Sequence, residues 1–161
     1  MNVLDIRPAR ASDHIDIIRL WHEGWHDAQA NLVPAEILAF RTPNHFAVWL
    51  KLAPDVFYVA TNPDLLGFVS VKGAEIVKLY VAKHARGTGA AQDLLSFSER
   101  LLRENGVKEA ELFCTAGNLR AEKFYLRENW LLSRTIDDAL WVAEGVNEKV
   151  EVPTHRFCKT L

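Results

Sequence analysis

The stretch that most constrains this chain is Val81–Gln92, V-A-K-H-A-R-G-T-G-A-A-Q, which lies between two different hydrophobic periodicities. Ahead of it, Glu75–Val81 carries four β-formers (Ile76, Val77, Tyr80 and Val81), as suits a largely buried strand. Behind it, Ala91, Leu94, Leu95, Ser98, Leu101 and Leu102 recur at three- and four-residue steps, as one face of a helix does. The Arg-Gly-Thr-Gly segment is therefore expected to be a strand-to-helix turn. Gly87 and Gly89 would let the backbone turn sharply and a ligand come close. The free N–H groups of the helix's first turn, with its macrodipole, would face an anion. This describes a phosphate cradle.

Two familiar cradles fail against the residues. A P-loop needs G-x-x-x-x-G-K-[ST], and the chain has no Gly-Lys-Ser/Thr. A dinucleotide fingerprint needs G-x-G-x-x-G, but Gly87-Thr88-Gly89-Ala90-Ala91 is followed by Gln92. The next strand also ends in Phe113-Cys114-Thr115, with no acidic residue to meet a ribose. What remains, Arg86-Gly87-Thr88-Gly89-Ala90-Ala91, fits R-x-x-G-x-[GA]. It resembles the pyrophosphate loop of the GNAT superfamily of acyl-CoA-dependent N-acyltransferases; a plain Gly-rich connector is the competing reading.

A second motif points the same way. Asn118-Leu119-Arg120-Ala121-Glu122-Lys123-Phe124-Tyr125-Leu126-Arg127-Glu128-Asn129-Trp130 is similar to the GNAT pattern N-x-x-A-x-x-F-Y-x-x-x-G-[FW], with Asn129 in place of the usual Gly. That position ends a helix in a left-handed conformation, and Asn is the non-Gly residue best suited to it. The opening, I-R-P-A-R-A-S-D before an apolar-striped helix, also resembles the usual GNAT start. Only the helices of the acceptor side, roughly residues 24–54, fall outside these patterns.

Composition limits the alternatives. At 161 residues the chain is expected to be one domain, 1–161, with a real core. Its 19 basic and 21 acidic residues give a formal charge of −2 without a basic patch, which argues against a nucleic-acid surface. No apolar stretch approaches the ~20 residues of a membrane span, and the N-terminus lacks the pattern of a signal peptide. Cys114 and Cys158 sit in strand-like runs and read as buried free thiols in a reducing cytoplasm.

In chain order, Asn2–Arg7 reads as a strand ended by Pro8. Ser12 is placed to cap a helix reaching about Gln29, with Ile18, Trp21, Trp25 and Ala28 on one face. Asn31–Phe40 reads as a loop with a short helix after Pro34, and Thr42-Pro43 opens a helix that Pro54 closes. Val56–Thr61 and Leu65–Val71 flank the hairpin signal Asn62-Pro63-Asp64, and Lys72-Gly73 turns into the Glu75 strand. After the long helix, Asn105-Gly106 is a stop signal. Lys108–Thr115 is a strand, and Trp130–Ile136 and Val150–Cys158 are two more, with Glu144–Asn147 as the turn between them. The fold class is mixed α/β, GNAT-like. It should be a mostly antiparallel sheet of six to seven strands with one parallel strand–helix–strand crossover and helices on both faces.

The resemblance also implies a chemistry, acetyl transfer from acetyl-CoA to a primary amine with no metal. The N–H groups of Arg86–Ala91 (Arg86, Gly87, Thr88, Gly89, Ala90 and Ala91) would hold the pyrophosphate. The backbone of Leu79, Tyr80 and Val81 would pair with the pantetheine like an added strand, Val81 N–H facing the thioester carbonyl. Asn118, at the head of the helix carrying Ala121, Phe124 and Tyr125, would touch the pantetheine. Tyr125 would protonate the departing sulfur; its other reading is a core aromatic with a bonded hydroxyl.

Glu75 stands where histone-acetylating members carry a catalytic glutamate, and a raised pKa would suit it as base. A solvent-facing strand-end glutamate is the other reading. His22-Glu23-Gly24-Trp25-His26 matches H-E-x-x-H, but no third ligand follows at a familiar spacing, so a zinc hydrolase is a remote alternative. Trp21, His22, Trp25 and His26 are placed instead on or near the amine side, or else form a core stripe with two surface histidines. Cys114 has no basic neighbour in sequence to activate it as a nucleophile. Arg120, Lys123 and Arg127 form a basic stripe that is either solvated or faces the 3′-phosphate of CoA. Five tryptophans, three of them before residue 50, suggest an aromatic pocket, and the weak acidity suggests a cationic amine. The acceptor would be a small molecule or peptide. A CoA-binding module without turnover is the alternative from another class, and a homodimer through the last strands is possible.

Overall fold

Among the described residues seven strands build one open sheet: β1 (Asp5–Pro8), β2 (Val56–Thr61), β3 (Leu65–Lys72), β4 (Glu75–Val81), β5 (Glu109–Thr115), β6 (Leu131–Ala139) and β7 (Glu151–Thr160). They hydrogen-bond in the order β1-β2-β3-β4-β5-β7-β6, antiparallel except for β4 and β5, which run parallel. The computed structural model describes residues 4–143, 145–146 and 149–161. Among these residues four α-helices complete the fold: α1 (His14–Gln29), α2 (Pro43–Leu52), α3 (Ala90–Glu104) and α4 (Leu119–Arg127). This is the mixed, mostly antiparallel sheet with one parallel crossover that the sequence leads one to expect.

Alternation along the strands separates two cores. Val59 and Phe68 point to one face, where they pack with Ile17, Trp21 and Trp25 of α1 and Phe46 of α2. Their neighbours Ala60 and Val69 point to the other, against Leu94, Leu95 and Leu102 of α3, with Trp130 beyond α4. The sheet is therefore a middle layer with helices on both sides. On α1 the buried positions are Ile17, Leu20, Trp21 and Trp25, and Ile18 packs partly buried against the same core. Gly24 of α1 sits where any Cβ would fall 2.7 Å from Cδ1 of Tyr80, which brings this helix directly onto β4.

Several boundaries differ from expectation for local reasons. The first strand includes Pro8, paired with Tyr58; β1 is an edge strand, where a missing N–H is tolerated. Asn2 lies outside the described residues. Ser12 does not cap α1, because a 3-10 turn over Ala11–Asp13 precedes the helix. There the Asp13 carboxylate accepts from Arg10 N–H (2.7 Å) and pairs with the Arg7 guanidinium (2.7 Å). The segment after Pro34 is a 3-10 helix, Ala35–Phe40. Both late strands run longer than expected, and Glu144 and Asn147, the ends of the expected turn, lie outside the described residues. Cys114 is buried, but Cys158 is only half-buried, and both are free thiols. No helix among the described residues is long and apolar enough to cross a membrane.

Candidate active site

The sheet opens at its centre. β4 and β5 pair only at Glu75–Glu111 and Ile76–Leu112. Beyond that, β4 stays bonded to β3 as far as Val81 opposite Gly67, and β5 stays bonded to β7 as far as Thr115 opposite Thr154. Each strand keeps its outer partner, and strand twist carries the two inner edges apart. The result is a cleft of about 1170 Å³ walled by Ile76–Val81 on one side and Leu112–Thr115 on the other. Ala82 N–H donates to Leu66 O (2.7 Å) on β3. Because successive N–H groups of an extended chain point to opposite sides, that of Val81 faces the parted edge.

The turn before α3 forms one end of this cleft. Gly87 (φ 78°) and Gly89 (φ 89°) both adopt the left-handed conformation, and a Cβ on either would meet nothing within 4 Å. It is conformation rather than crowding that asks for glycine here. Arg86 N–H donates to Lys83 O (3.3 Å), while Thr88 N–H (3.3 Å) and the Thr88 hydroxyl both donate to Ala85 O. Arg86 and Thr88 thus spend their backbone donors inside the turn, which corrects the expectation that all six residues offer an N–H. The helix itself leaves the N–H groups of Ala90, Ala91 and Gln92 without intrahelical partners, Asp93 N–H being the first to close a turn, on Gly89 O (2.9 Å). Gly87, Gly89, Ala90, Ala91 and Gln92 line the cleft, and Thr88 does not. At the mouth the Arg86 side chain pairs with Asp27 (2.7 Å), which Arg120 also approaches (3.4 Å). Arg86, ahead of Arg120, holds the Asp27 carboxyl below its ordinary range.

The head of α4 meets the cleft from the other strand. Asn118 Oδ1 accepts from Ala121 N–H (3.4 Å), capping the helix, and Asn118, Ala121, Phe124 and Tyr125 all line the cleft. Tyr125 is half-buried against Phe157 (5.7 Å between ring centres), and burial raises its phenol pKa, so the hydroxyl keeps its proton. The helix ends with Trp130 N–H on Tyr125 O (2.9 Å) and Asn129 N–H on Leu126 O (3.1 Å), with Asn129 at φ 68°. That pair of bonds is a Schellman motif.

The far end of the cleft is aromatic. Trp21 and Trp25 of α1, Trp49 of α2 and Trp141 line it, with Trp49 and Trp141 stacked at 4.8 Å. Two cations sit among them. Lys78 is bonded to Asp55 (2.8 Å), whereas Arg41 lies in the wall with 1% of its surface exposed. Thr115 donates to Gln29 Oε1 (2.9 Å) and Gln29 donates to Tyr80 OH (3.2 Å), which ties β5, α1 and β4 together across the floor.

The residues picked out from the sequence therefore divide. Leu79, Tyr80, Val81, Arg86, Gly87, Gly89, Ala90, Ala91, Asn118, Ala121, Phe124, Tyr125, Trp21 and Trp25 come together on one cleft, and Lys123 and Arg127 reach its rim. Glu75 does not line it. It starts β4 opposite Glu111, and burial, then Glu111, raises its pKa. His22 and His26 also lie off the cleft. Their ring centres lie 4.6 Å apart with the planes tilted, and His26 Nε2 donates to Arg41 O (2.7 Å), an engagement that occupies one would-be metal ligand. Burial pushes the Cys114 thiol up to about 12, which makes it a poor nucleophile. Arg41, Trp49, Lys78 and Trp141 were not legible as site residues, because no local pattern marks them; only the tryptophan count pointed that way.

The Acetyltransferase (GNAT) family model matches residues 17–129. Among solved structures, the chain is similar to a GCN5-related N-acetyltransferase from Rhodopseudomonas palustris (TM-score 0.76, 18% identity, 100% of this chain and 98% of that one). It is similar as well to the PaiA N-acetyltransferase from Thermoplasma acidophilum in complex with coenzyme A (TM-score 0.70, 17% identity, 99% of each chain). An N-acetyltransferase from Staphylococcus aureus Mu50 is a third (TM-score 0.66, 17% identity, 96% of this chain and 97% of that one). Comparison with the curated proteins gives no match.

Proposed function

We propose that this chain, which belongs to the GNAT acetyltransferase family, moves an acetyl group from acetyl-CoA to a primary amine of a small molecule or peptide by direct attack on the thioester. One observation carries the reading. The parted edges of β4 and β5 form a single cleft on which the starts of both α3 and α4 open. Its residues suit CoA. The unpaired N–H groups at the start of α3, behind two left-handed glycines, suit a pyrophosphate. The free edge of β4 suits an extended amide-bearing arm, and Lys123 and Arg127 suit a further phosphate. The similar Thermoplasma protein was solved with coenzyme A, which supports the same choice of donor.

In this reading the acetyl donor supplies the activated carbonyl, and the protein orients it and stabilises charge. Val81 N–H is the donor for the carbonyl oxygen as negative charge grows there. Tyr125 holds the proton for the leaving sulfur, since its buried phenol does not ionise at neutral pH. Asn118, its oxygen committed to the cap, has its amide N–H₂ left for the arm. Glu75 is given no part, because it lies off the cleft; the amine's proton leaves to water. Cys114 and Cys158, both free, suit a reducing cytoplasm.

The test combines calorimetric CoA binding with thiol release from acetyl-CoA across a panel of amines. Binding with amine-dependent release supports the reading. Binding without release for any amine indicates a CoA-holding module, and no binding at all removes both.

A further inference from the structure

Arg41 is placed unlike any other cation among the described residues. It follows the 3-10 turn Ala35–Phe40 and precedes the Thr42 cap of α2, and only 1% of its surface is exposed. Its Nη1 donates to Phe40 O (2.9 Å), but among the described residues the buried Nε and Nη2 have no hydrogen-bond partner and no carboxylate pairs with the group. Burial lowers its pKa to about 10, so the group stays charged at neutral pH. Its guanidinium carbon lies 5.0 Å from the centre of the Trp25 ring and 4.9 Å from that of Trp49. The backbone is held from α1 by His26 Nε2 on Arg41 O (2.7 Å).

A buried charge with two idle donors is costly unless something negative completes it. The idle pair is specific. Nε–H and the Nη2–H on the same edge form the side-on fork of a guanidinium, two parallel donors spaced for the two oxygens of one carboxylate. The same residue lines the cleft among Trp21, Trp25, Trp49 and Trp141. Lys78, the other cation there, is already matched by Asp55 (2.8 Å). An acceptor carrying only positive charge would face an uncompensated arginine, contrary to the cationic amine that the chain's overall acidity suggests.

We propose that Arg41 is the carboxylate receptor of the acceptor end of the cleft, so that the amine this chain acetylates also carries a carboxylate, as an α-amino acid does, with an apolar part against the tryptophans. The proposal rests on the acyl-transfer reading for the word acceptor, but the carboxylate site can be tested without it.

Tryptophan fluorescence reports the site directly, because Trp25 and Trp49 flank Arg41, and it needs no turnover. The probes are the common non-fluorescent L-amino acids, each measured against the amine left by its decarboxylation, with CoA present. At least one apolar amino acid is expected to bind about tenfold or more tighter than its matched amine. Arg41→Lys, which keeps the charge and loses the fork, is expected to abolish most of that preference. The idea is overturned if every matched pair binds equally, if the amines bind better, if none of the probes binds, or if the preference survives in Arg41→Lys. The matched pairs on the unaltered chain decide the matter even should the variant misfold. Thiol release on the same panel separates the two readings. Amino acids that bind but are never acetylated remove the acyl transfer and leave the carboxylate site. Amines acetylated as efficiently as their amino acids remove the carboxylate site and leave the transfer.

Discussion

Lys78 Nζ and Asp55 Oδ2 stand 2.8 Å apart with side chains only 8% and 2% exposed, an ion pair closed off at the aromatic end of the cleft. Nζ also lies 5.2 Å from the centre of the Trp21 ring and 5.5 Å from that of Trp49. Burial lowers the Lys78 pKa, and Asp55 works against that shift. Removing the carboxylate alone would strand the ammonium in an apolar wall. Asp55→Ala is expected to cost about 3–5 kcal/mol in urea unfolding. Replacing both partners with apolar residues is expected to recover most of it. A single substitution costing no more than the double one would contradict this picture.

The Arg7–Asp13 pair gives a stability that depends on pH. The Arg7 hydrogen bond, foremost among the causes, holds the Asp13 carboxyl down at about 2. A depressed carboxylate pKa stabilises the fold above the unfolded value, near 4, and that contribution fades as pH falls towards 2. Asp13→Asn should therefore lower stability at pH 7, by about 1 kcal/mol given the partial exposure of Arg7. The gap between the two proteins should close as the pH is taken from 5 to 2. A gap that is constant across that range would show the carboxylate's charge to be unimportant.

At Asn129 the backbone conformation sets the choice of residue. With φ at 68°, a side chain branching from Cβ is strained, and Asn tolerates the position better than most. Asn129→Ala should lower the unfolding free energy by about 1 kcal/mol, whereas Asn129→Gly should match or exceed the parent. Thermal melts giving the reverse order would refute this.

Tyr125 is expected to act on the leaving group rather than on binding. Tyr125→Phe should leave CoA affinity nearly unchanged and lower kcat by on the order of 10²-fold. Its pKa is raised by burial, so loss of the phenol proton should not limit the rate up to pH 10. Equal kcat in the two proteins would assign the ring to packing alone.

The cleft was legible wherever its chemistry is written in consecutive residues. The Gly87–Gly89 turn and the Asn118–Trp130 segment each declare a strand, a turn and a helix within a dozen positions, since backbone conformation and capping depend on near neighbours. Even there, the sequence could not tell which N–H groups the turn itself would consume. Thr88 looked like its neighbours but spends its donors on Ala85. Ser12 looked like a cap, yet Asp13, held by Arg7 from β1, organises that end instead.

Sequence alone thus determined the order of elements, the parallel crossover and the two helix starts, because these follow from periodicity and local backbone preference. It could not determine where β4 and β5 part, since that depends on which outer strand each edge keeps. Nor could it see that Arg41, Trp49, Lys78 and Trp141, spread over a hundred positions, meet in one wall. Such meetings depend on how α1 and α2 pack across the sheet, where a glycine at position 24 lets a helix settle onto Tyr80. Burial and the loss of water then turn an ordinary arginine into an unpaired charge, and only the packed chain creates that environment.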